Sequence, residues 1–544
     1  MGIAAFVGSR WTVPTAAAAA FLLRVPGLGR PVRPDEAGWF LVARSWDPSE
    51  ESVYGPHFLD RPPSLIALVD LADALGGPTA LRLLGALAAA SMVLLAARIG
   101  ALVADETAGR WSAVVVLALT TSPLIDPVAA KGEVLALPLV GLAMLWALQA
   151  VLDRRPWPGV AFAFASGVAG AAALGFKQSL AGGLVFATAL FLASWRWGPV
   201  TGHRVVALVA AALLGALVPV LATVAWAASA GVRLSVLWYA VYGFRLDAAG
   251  VLAEGHSDAQ SARLALLVLV ALASGLVTIL GGFVVHFPLQ WSHNRPVALA
   301  TGAVVIAQLA GLAAGGNYWR PYLLALIPVT ALCVTLLMEV GGRVARRTRA
   351  VVVFAVGSAA LSLVVWWVLE VAGRIAYTEV AAGAAVDSAS DPGDSLVVFG
   401  GRADLQYASG LPSPYPHLWS LPMRTLDPEY DELVALLEGP RAPTWFVTWV
   451  PLTSWHGHGA DDLRRAIHAN YDRHGASCEG KAIYLLEDVQ RPRLQLACRR
   501  RGPGQATPVA FSRELSSSSR WVSRRCRWGT LRRQPVRPKP MSSA

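Results

Sequence analysis

The sequence predicts a mainly α-helical protein that crosses a membrane many times and ends in a small α/β domain. Of its 544 residues, 55% are hydrophobic and only 15% are charged, whereas soluble domains carry about 25% charged residues. Apolar runs of about 20 residues, the length that crosses a bilayer, recur through roughly the first 370 positions. Beyond them the composition becomes that of a globular domain. These observations exclude a disordered chain and a compact soluble enzyme.

The transmembrane domain is predicted to occupy residues 1–372 and to contain about eleven helices. Their centres are expected near residues 20, 92, 120, 142, 167, 187, 216, 275, 305, 330 and 360. The first stretch has an alternative interpretation as a cleaved signal peptide, because Arg10 precedes an alanine-rich core. Both interpretations place the residues from 30 onward outside the cytoplasm.

The distribution of arginine among the short loops predicts the orientation of the spans in the cell membrane. Cytoplasmic loops are enriched in Arg and Lys, and one alternating set of loops contains Arg110, Arg154, Arg155, Arg196, Arg204, Arg295, Arg343, Arg346, Arg347 and Arg349. The other set therefore faces outward and comprises residues 30–78, 126–133, 176–179, 231–260 and 315–321. With an odd number of spans, the C-terminal domain also lies outside.

The C-terminal domain is predicted over residues 373–498. Three short apolar runs indicate buried strands and one amphipathic pattern indicates a helix, at 395–400, 444–450, 481–487 and 461–471 respectively. Cys478 and Cys498 would pair if this region is extracytoplasmic, where disulfides persist.

A basic tail is predicted over residues 499–544. It holds twelve Arg or Lys residues against the single acid Glu514, and the rest of the chain is neutral overall. Because this Ser-, Arg- and Pro-rich segment lacks the apolar residues needed to fold, we expect it to be disordered. We expect it to contact anionic lipid headgroups and not nucleic acid.

The first outer loop, residues 30–78, is the most informative segment for function, because long loops in compact folds usually carry function. It contains the adjacent acids Asp35 and Glu36, and later the sequence Asp60-Arg61-Pro62-Pro63. A carboxylate held at a membrane edge between apolar surfaces is expected to have a raised pKa and to act as a base toward a hydroxyl. The alternative is that the acidic pair only caps the following helix.

Several motifs together resemble the GT-C superfamily of membrane glycosyltransferases. They are the acidic pair after the first span, the D-[KR]-P-P turn, the stretch GPTALRLL that begins the second span at Gly77, and a proline turn before the fourth span. Two later stretches, 315–328 and 394–410, are similar to a late helix and to the start of the outer domain in one branch of that superfamily. This branch contains the protein O-mannosyltransferases and lipid A aminoarabinose transferases. The likeness covers residues 1 to about 490.

The resemblance implies an inverting, metal-dependent or metal-assisted glycosyltransferase of the outer leaflet. It would take a sugar from a polyprenyl-phosphate donor and transfer it to an extracytoplasmic acceptor. Asp35 matches the family's catalytic acid, and Glu36 would share its work or bind a divalent cation such as Mg²⁺, Mn²⁺ or Zn²⁺. A second acid is expected at the outer end of the fourth span, where Glu133 fits the pattern better than Asp126. Glu36 and Glu133 are the predicted metal ligands.

Positive charge is needed to stabilise a leaving phosphate. Arg61 occupies the basic position of the D-[KR]-P-P turn, Lys177 matches a basic residue between the fifth and sixth spans of relatives, and Arg320 is the third predicted contact. Further outer bases are Lys131, Arg233 and Arg245. For Arg245 and Arg320, interfacial snorkelling beside aromatic residues is an equally good explanation.

Other chemistries and functions have weaker support. His256, His286 and His293 lie on different predicted sides or far apart, so we expect no histidine metal site. The Gly-rich stretch 167–175 lacks the Lys-Ser/Thr of a phosphate loop and instead suits close packing of membrane helices.

A transporter or flippase of a lipid-linked molecule is the alternative function, but it predicts internal repeats that the two halves do not show.

The enzyme hypothesis and a scaffold without chemistry differ in one structural expectation. An enzyme requires that Asp35, Arg61 and either Glu133 or Lys177 converge on one outward-facing cavity beneath the C-terminal domain. A scaffold would leave Asp35, Glu36, Arg61 and Glu133 unrelated in space.

Overall fold

The structure is a computed structural model that describes residues 7–126, 129–198, 200–254, 258–455, 459–496 and 498. The predicted basic tail at 499–544 and His256 lie outside the described residues. Along the chain, a part built from long apolar helices is followed by a smaller part that contains a four-stranded sheet. The predicted fold class is therefore confirmed.

Seventeen α-helices are described in the first part. They are α1 Thr12–Leu22, α2 Pro34–Arg44, α3 Pro63–Gly76, α4 Pro78–Val103, α5 Glu106–Thr121, α6 Gly132–Leu152, α7 Pro156–Leu174, α8 Gly182–Trp197, α9 Gly202–Ser229, α10 Leu234–Trp238, α11 Phe244–Glu254, α12 Asp258–Ala273, α13 Leu276–Val285, α14 Phe287–His293, α15 Arg295–Ala314, α16 Ile327–Val340 and α17 Gly342–Val371. A π-helical turn, Tyr239–Gly243, joins α10 to α11, and 3₁₀ turns lie at Val25–Gly27 and Arg320–Leu326.

Eight helical stretches of the described chain are long and apolar enough to cross a membrane, or nine if the bent pair α12 and α13 forms one span. These two helices meet at 75°, at Gly275, whose positive φ of 80° favours glycine. By length and composition, the described chain therefore has fewer candidate spans than the eleven predicted from the sequence. The spans predicted near residues 20, 120 and 187 correspond to α1, α5 and α8, which have only 11, 16 and 16 residues.

One predicted outer loop is helical in the structure. The sequence predicts a loop over 231–260, whereas α10, the π-helical turn and α11 occupy most of it, and Leu234–Ala253 is long and apolar enough to be a membrane span. Arg245 and Asp247 interrupt its apolar run, which hides the helix from a search for such runs. This helical stretch brings Arg245 to the site described below.

Glycines allow α7 and α9 to pack with their backbones in close contact. A Cβ atom on Gly167 would lie 1.9 Å from the carbonyl oxygen of Ala212, and one on Gly215 would lie 2.0 Å from the carbonyl oxygen of Phe164. Real carbon atoms cannot approach so closely, so any larger residue would force the helices apart. The role predicted for the Gly-rich stretch at 167–175 is confirmed.

The C-terminal domain contains helices on both faces of a mixed sheet. Its helices are α18 Thr378–Ala389, α19 Ala403–Ala408, α20 Ser420–Leu426, α21 Asp431–Glu438 and α22 Ala460–Asn470, with a 3₁₀ turn at Leu452–Trp455. Its strands are β1 Leu396–Phe399, β2 Trp445–Thr448, β3 Tyr471–Ala476 and β4 Ala482–Leu486, in the order β1-β2-β4-β3. β1 and β2 are parallel, whereas β4 is antiparallel to both of its neighbours.

Both faces of this sheet are buried because neighbouring residues of β1 and β2 point into different cores. Val397 and Phe446 pack with α21 and α22, and Leu396 and Trp445 pack with α18. The three predicted strands and the predicted helix are confirmed. β3 was not predicted because its sequence, YDRHGA, is polar and lies at the sheet edge.

Two contacts fasten the end of the described chain to the C-terminal domain. Cys478 and Cys498 form the predicted disulfide, with their Cα atoms 5.4 Å apart. Arg491 donates two hydrogen bonds to the carboxylate of Asp394, at 2.8 and 2.6 Å. Arg491 and Cys498 are therefore both attached to the domain.

The C-terminal domain packs directly on the first outer loop. The six-membered ring of Trp419 lies over Gly38 in α2, so closely that a Cβ on this glycine would be 2.1 Å from the ring. Nearby, the backbone N–H of Phe58 donates to the carbonyl oxygen of Pro416 at 3.0 Å. The helix that carries the acidic pair is thus held between the long apolar helices and the C-terminal domain.

We expect Gly38→Ala to loosen this contact. The added methyl group must displace Trp419, and such overpacking costs about 1–3 kcal/mol. The thermal unfolding midpoint of the purified chain should fall, and limited proteolysis should cut more readily between the two parts. Gly29→Ala is the matched control, because a Cβ there meets no atom within 4 Å. Equal midpoints for the two variants would contradict this account.

Candidate active site

Asp35 lies in the first turn of α2 and forms an ion pair with Lys131. The Lys131 ammonium donates to Oδ2 of Asp35 at 2.6 Å, and it lies 3.9 Å from Asp126. Lys131 immediately precedes α6, so this pair joins the loop at residues 30–78 to the N-terminal end of a long apolar helix. The Asp35 side chain remains 37% exposed, which leaves it accessible to a substrate.

The pKa of Asp35 is lowered to about 2. Burial opposes this shift, but the positive charges of Lys131, Arg61 and Lys177 outweigh the cost of desolvation. The raised pKa expected from the sequence is therefore wrong. The sequence predicts apolar surroundings, which would raise the pKa of Asp35, whereas the carboxylate lies among cations, which lower it. In the free protein Asp35 is ionised throughout the physiological pH range.

Glu36 has a different environment from its neighbour, because successive residues of a helix point about 100° apart. It is fully buried and accepts two hydrogen bonds from the guanidinium of Arg82, at 3.1 and 2.8 Å. The backbone N–H groups of Ala130 and Arg33 donate to the same carboxylate at 2.7 and 3.3 Å. The bond from Arg33 is the capping interaction that the sequence offered as an alternative.

Arg82 is a structural residue that the sequence analysis did not single out. Besides Glu36, it donates to the carbonyl oxygens of Leu28, Arg30 and Pro31, at 2.9, 2.6 and 3.1 Å. It thereby shapes the turn that leads into α2. Its position within GPTALRLL was a usable signal, because an arginine inside an apolar helix is costly unless it has partners.

Asp60 is held between two arginines. Arg61 lies 2.8 Å from one carboxylate oxygen and Arg245 lies 2.5 Å from the other. The pKa of Asp60 is lowered because these two charges outweigh the effect of burial. For Arg61, burial lowers the pKa, but Asp60 and Asp35 raise it by more. Since two guanidiniums share a single carboxylate, one positive charge is left in excess.

Hydrogen bonds fix the backbone around this pair of arginines. The side-chain amide of Gln178 donates to the carbonyl oxygens of Asp60 and Val241, at 2.8 and 2.7 Å. The hydroxyl of Tyr54 donates to the carbonyl oxygen of Arg61. The D-R-P-P turn is thus tied to the segment that carries Arg245.

Lys177 and Glu133 form a third ion pair. The ammonium of Lys177 donates to Oε1 of Glu133, in the first turn of α6, and lies 4.1 Å from the ring centre of Tyr322. The pKa of Lys177 is lowered by burial, which Glu133 partly offsets, while the charge of Arg61 lowers it further. An ammonium so placed gains from any additional negative charge.

These ion pairs form one charged cluster, which consists of Asp35, Lys131, Asp60, Arg61, Arg245, Glu133 and Lys177. The links between the pairs are electrostatic: Arg61 and Lys177 act on Asp35, and Glu133 acts on Arg61. Asp35, Arg61, Glu133 and Lys177 are therefore neighbours in space. Lys131 and Arg245 are secondary predictions from the sequence, and Asp60 and Tyr322 are not predicted site residues, although all four lie in stretches that resemble the GT-C motifs or in predicted outer loops.

The remaining predicted site residues lie beside the cluster. Arg320 is exposed and donates a hydrogen bond to the carbonyl oxygen of Leu124 at 3.2 Å. The pKa of Asp126 is raised by burial, which Lys131 partly offsets.

The predicted metal ligands do not fit a metal site as they stand in the structure. Across the described ranges, no three His, Cys, Asp or Glu residues are grouped to hold a metal ion. The carboxylate of Glu36 is occupied by Arg82, and that of Glu133 is occupied by Lys177. Hard cations require several free oxygen ligands, and this arrangement does not supply them.

The fold resembles that of solved membrane proteins. No protein-family model matches the chain, and no curated protein matches it. The structure of ArnT from Cupriavidus metallidurans bound to undecaprenyl phosphate matches with a TM-score of 0.56 and 14% sequence identity, over 87% of this chain and 97% of that one. The apo state of the same protein matches with a TM-score of 0.54 and 14% identity, over 87% and 96% of the two chains. ArnT is a lipid A aminoarabinose transferase of the GT-C superfamily, so the resemblance expected from the sequence is confirmed at the level of the fold.

Proposed function

We propose that the protein is an integral membrane glycosyltransferase. It transfers a sugar from a polyprenyl-phosphate donor to an extracytoplasmic acceptor. One observation carries this proposal: a compact charged cluster, with two arginines sharing one carboxylate, lies next to a partly exposed aspartate where the first outer loop meets the helices. A chain with the same fold, ArnT, has been solved bound to undecaprenyl phosphate.

The donor phosphate is assigned to the cationic side of the cluster. Arg61 and Arg245 carry the unmatched positive charge, and Lys177 adds an ammonium whose positive charge is disfavoured by burial. A phosphate placed among them would gain charge-assisted hydrogen bonds. It would also restore to Lys177 the electrostatic stabilisation that burial removes.

Transfer breaks the bond between the anomeric carbon and the phosphate oxygen of the donor. The acceptor hydroxyl oxygen forms the new bond to that carbon, and polyprenyl phosphate leaves with the bonding electron pair. The hydroxyl proton passes to Asp35 and then to the leaving phosphate or to water. Arg61, Arg245 and Lys177 stabilise the negative charge that develops on the phosphate.

Asp35 can serve as the proton acceptor only if its basicity rises in the complex. A carboxylate with a pKa near 2 is a weak base. The donor phosphate supplies negative charge next to the same cations that depress this pKa, so its binding raises the basicity of Asp35. Donor binding thus activates the base, so Asp35 becomes an effective proton acceptor only in the complex with the donor.

Three predicted site residues take positioning roles in this proposal. Glu133 orients Lys177, and Glu36 fixes the start of α2 through Arg82. Arg320 supports the turn near Leu124 at the edge of the cluster.

The active site is proposed to face the extracytoplasmic side of the cell membrane. Two independent features support this side: the arginine-rich loops lie at the opposite ends of the predicted spans, and the C-terminal domain contains a disulfide. Disulfides persist outside the reducing cytoplasm. The acceptor is therefore sought among the glycans, lipids and proteins of the envelope.

We expect Arg61→Gln to lower transfer from a radiolabelled polyprenyl-phosphate sugar. The loss in kcat/KM should be about 10²-fold or more, the usual effect of removing one group that stabilises developing charge. Membranes from a deletion strain that expresses each variant are incubated with the donor. Labelled envelope material and released polyprenyl phosphate are then both measured.

Arg155→Gln is the control for this experiment, because the Arg155 side chain is 76% exposed and pairs with Asp153, outside the charged cluster. It should transfer like the parent protein. The transfer rate of Arg61→Lys should lie between those of Arg61→Gln and the parent protein, because lysine keeps the charge but cannot form the bidentate hydrogen bonds of a guanidinium. Donor translocation without release of polyprenyl phosphate in the parent protein would identify a flippase and overturn the enzyme proposal.

A further inference from the structure

A cavity of about 480 Å³ lies beside the charged cluster and not within it. Its walls come from three places: residues 51–58 of the first outer loop, residues of the segment 233–240, and Pro416 and Leu426 of the C-terminal domain. Its size is within the range of pockets that hold small organic ligands, about 300–1,000 Å³. The proposed mechanism above makes no use of it.

A wall residue of the cavity bonds directly to the charged cluster. Tyr54 lines the cavity, and its hydroxyl donates to the carbonyl oxygen of Arg61. His57, another wall residue, precedes Arg61 by four positions, so their Cα atoms are at most about 14 Å apart. A molecule bound in the cavity can therefore extend one hydroxyl toward the reacting centre.

Aromatic rings form one corner of the cavity. Phe58 and Tyr239 both line it, with ring centres 6.5 Å apart and ring planes inclined at 56°. A sugar ring has an apolar face of C–H groups and an edge of hydroxyls. The negative face of an aromatic ring attracts such C–H groups, and polar neighbours satisfy the hydroxyls.

A neutral polar group is available at the wall. His57 is only 7% exposed, and its Nδ1 has no hydrogen-bond partner among the described residues. Burial and the nearby His417 lower its pKa to about 4, so the ring is neutral at physiological pH. A neutral imidazole can donate a hydrogen bond through one nitrogen and accept one through the other. It can therefore bind a hydroxyl group, but it has no positive charge with which to bind an anion.

The rim of the cavity does not favour an anionic ligand either. Arg233 lies 3.6 Å from Glu50 and 3.8 Å from Glu51, so its single positive charge faces two negative ones. In the charged cluster the balance is opposite, with two guanidiniums on one carboxylate. The two neighbouring sites are thus suited to different ligands, an anion in the cluster and a neutral polar molecule in the cavity.

We propose that this cavity binds one or two neutral sugar residues of the acceptor, so that the acceptor is a glycan. This inference rests on the proposed glycosyltransferase function and specifies its acceptor class. The cavity opens between the outer loop and the C-terminal domain, which gives an extracytoplasmic glycan access to it. A phosphorylated acceptor and a lipid acyl chain are excluded by the same proposal.

The test uses the purified full-length protein in detergent micelles and a panel of neutral disaccharides built from mannose, galactose, glucose or arabinose. Binding is followed by saturation-transfer NMR, which needs no catalysis. Ser235→Trp places a ring inside the cavity from an exposed wall position. Ser229→Trp is the control, because Ser229 is also exposed, ends α9 and does not line the cavity.

We expect at least one disaccharide to bind the parent protein and the Ser229→Trp variant, and to bind the Ser235→Trp variant at least about tenfold more weakly because of the steric clash. Binding of undecaprenyl phosphate should be the same in all three proteins. Equal sugar binding by Ser235→Trp, no binding by any disaccharide, or binding only of phosphorylated sugars or lysophospholipid would overturn the proposal.

A parallel measurement separates this inference from the proposed function. Undecaprenyl phosphate binding is compared between the parent protein and Arg61→Gln. If that binding depends on Arg61 while no sugar binds, the glycan site is wrong and the enzyme proposal stands. If sugars bind but undecaprenyl phosphate does not, the enzyme proposal is wrong.

Discussion

Asp35→Asn is expected to lower the rate of sugar transfer by about 10²–10⁴-fold, the usual contribution of a positioned general base. The change removes the proton acceptor but preserves the shape of the side chain. Lys131 keeps a second carboxylate within reach, because Asp126 lies 3.9 Å away. The variant should therefore fold normally and bind undecaprenyl phosphate like the parent protein, with the loss appearing in kcat.

The pH dependence provides a second check on the role of Asp35. Its pKa of about 2 in the free protein means that the carboxylate is ionised at any pH above about 4. The acid limb of the kcat/KM profile should therefore not contain a group with an ordinary aspartate pKa. Asp35→Glu should retain part of the activity. Full transfer by Asp35→Asn would remove this residue from the chemistry.

Glu36→Gln is expected to destabilise the protein by about 3–5 kcal/mol, because it leaves the buried guanidinium of Arg82 without its counter-ion. Arg82 and Glu36 have side-chain exposures of only 2% and 1%. Stability can be measured by unfolding the purified chain with a denaturing detergent in mixed micelles. Asp73→Asn is the matched control, because its partner Arg44 is 48% exposed. The free energy of unfolding of this variant should fall by less than about 1 kcal/mol.

A double variant distinguishes a structural Glu36 from a catalytic or metal-binding one. Replacing both partners, Glu36→Gln with Arg82→Met, removes the unpaired charge and should recover part of the stability. If Glu36 acts only by positioning α2, transfer activity should recover together with stability. Recovered stability without recovered activity would instead support the chemical role that the resemblance implies for Glu36.

The membrane helices were predictable because the bilayer imposes both length and composition on them. Ten of the eleven predicted centres fall within a helix, and the remaining one, residue 275, falls at the bend between α12 and α13. The error at 231–260 arose where Arg245 and Asp247 interrupt the apolar pattern. Arg245 is tolerated there because Asp60, far away in sequence, pairs with it. Such a tertiary partner leaves no trace in local hydropathy.

The site was only partly predictable for a related reason. The sequence identified Asp35, Arg61, Glu133 and Lys177 through motifs, and the structure brings all four into one charged cluster. It did not indicate that Lys131 would face Asp35 and depress its pKa. A pKa depends on charges that the fold delivers from other segments, so local composition pointed in the wrong direction.

The scaffold alternative expected these acids and bases to be unrelated in space. In the structure Arg61 acts on Asp35 and Glu133 acts on Arg61, which disagrees with that expectation, whereas Glu36 pairs separately with Arg82.

During biosynthesis Glu36 leaves the ribosome before Arg82, its partner 46 positions later in the chain. Until the helix that contains Arg82 has been inserted, the carboxylate has no counter-ion and must remain in water, since burying an unpaired charge costs several kcal/mol. The segment that carries Glu36 can therefore reach its final structure only after the helix that contains Arg82 is in place. A nascent chain that stalls between these two events would expose an unfolded segment to proteases.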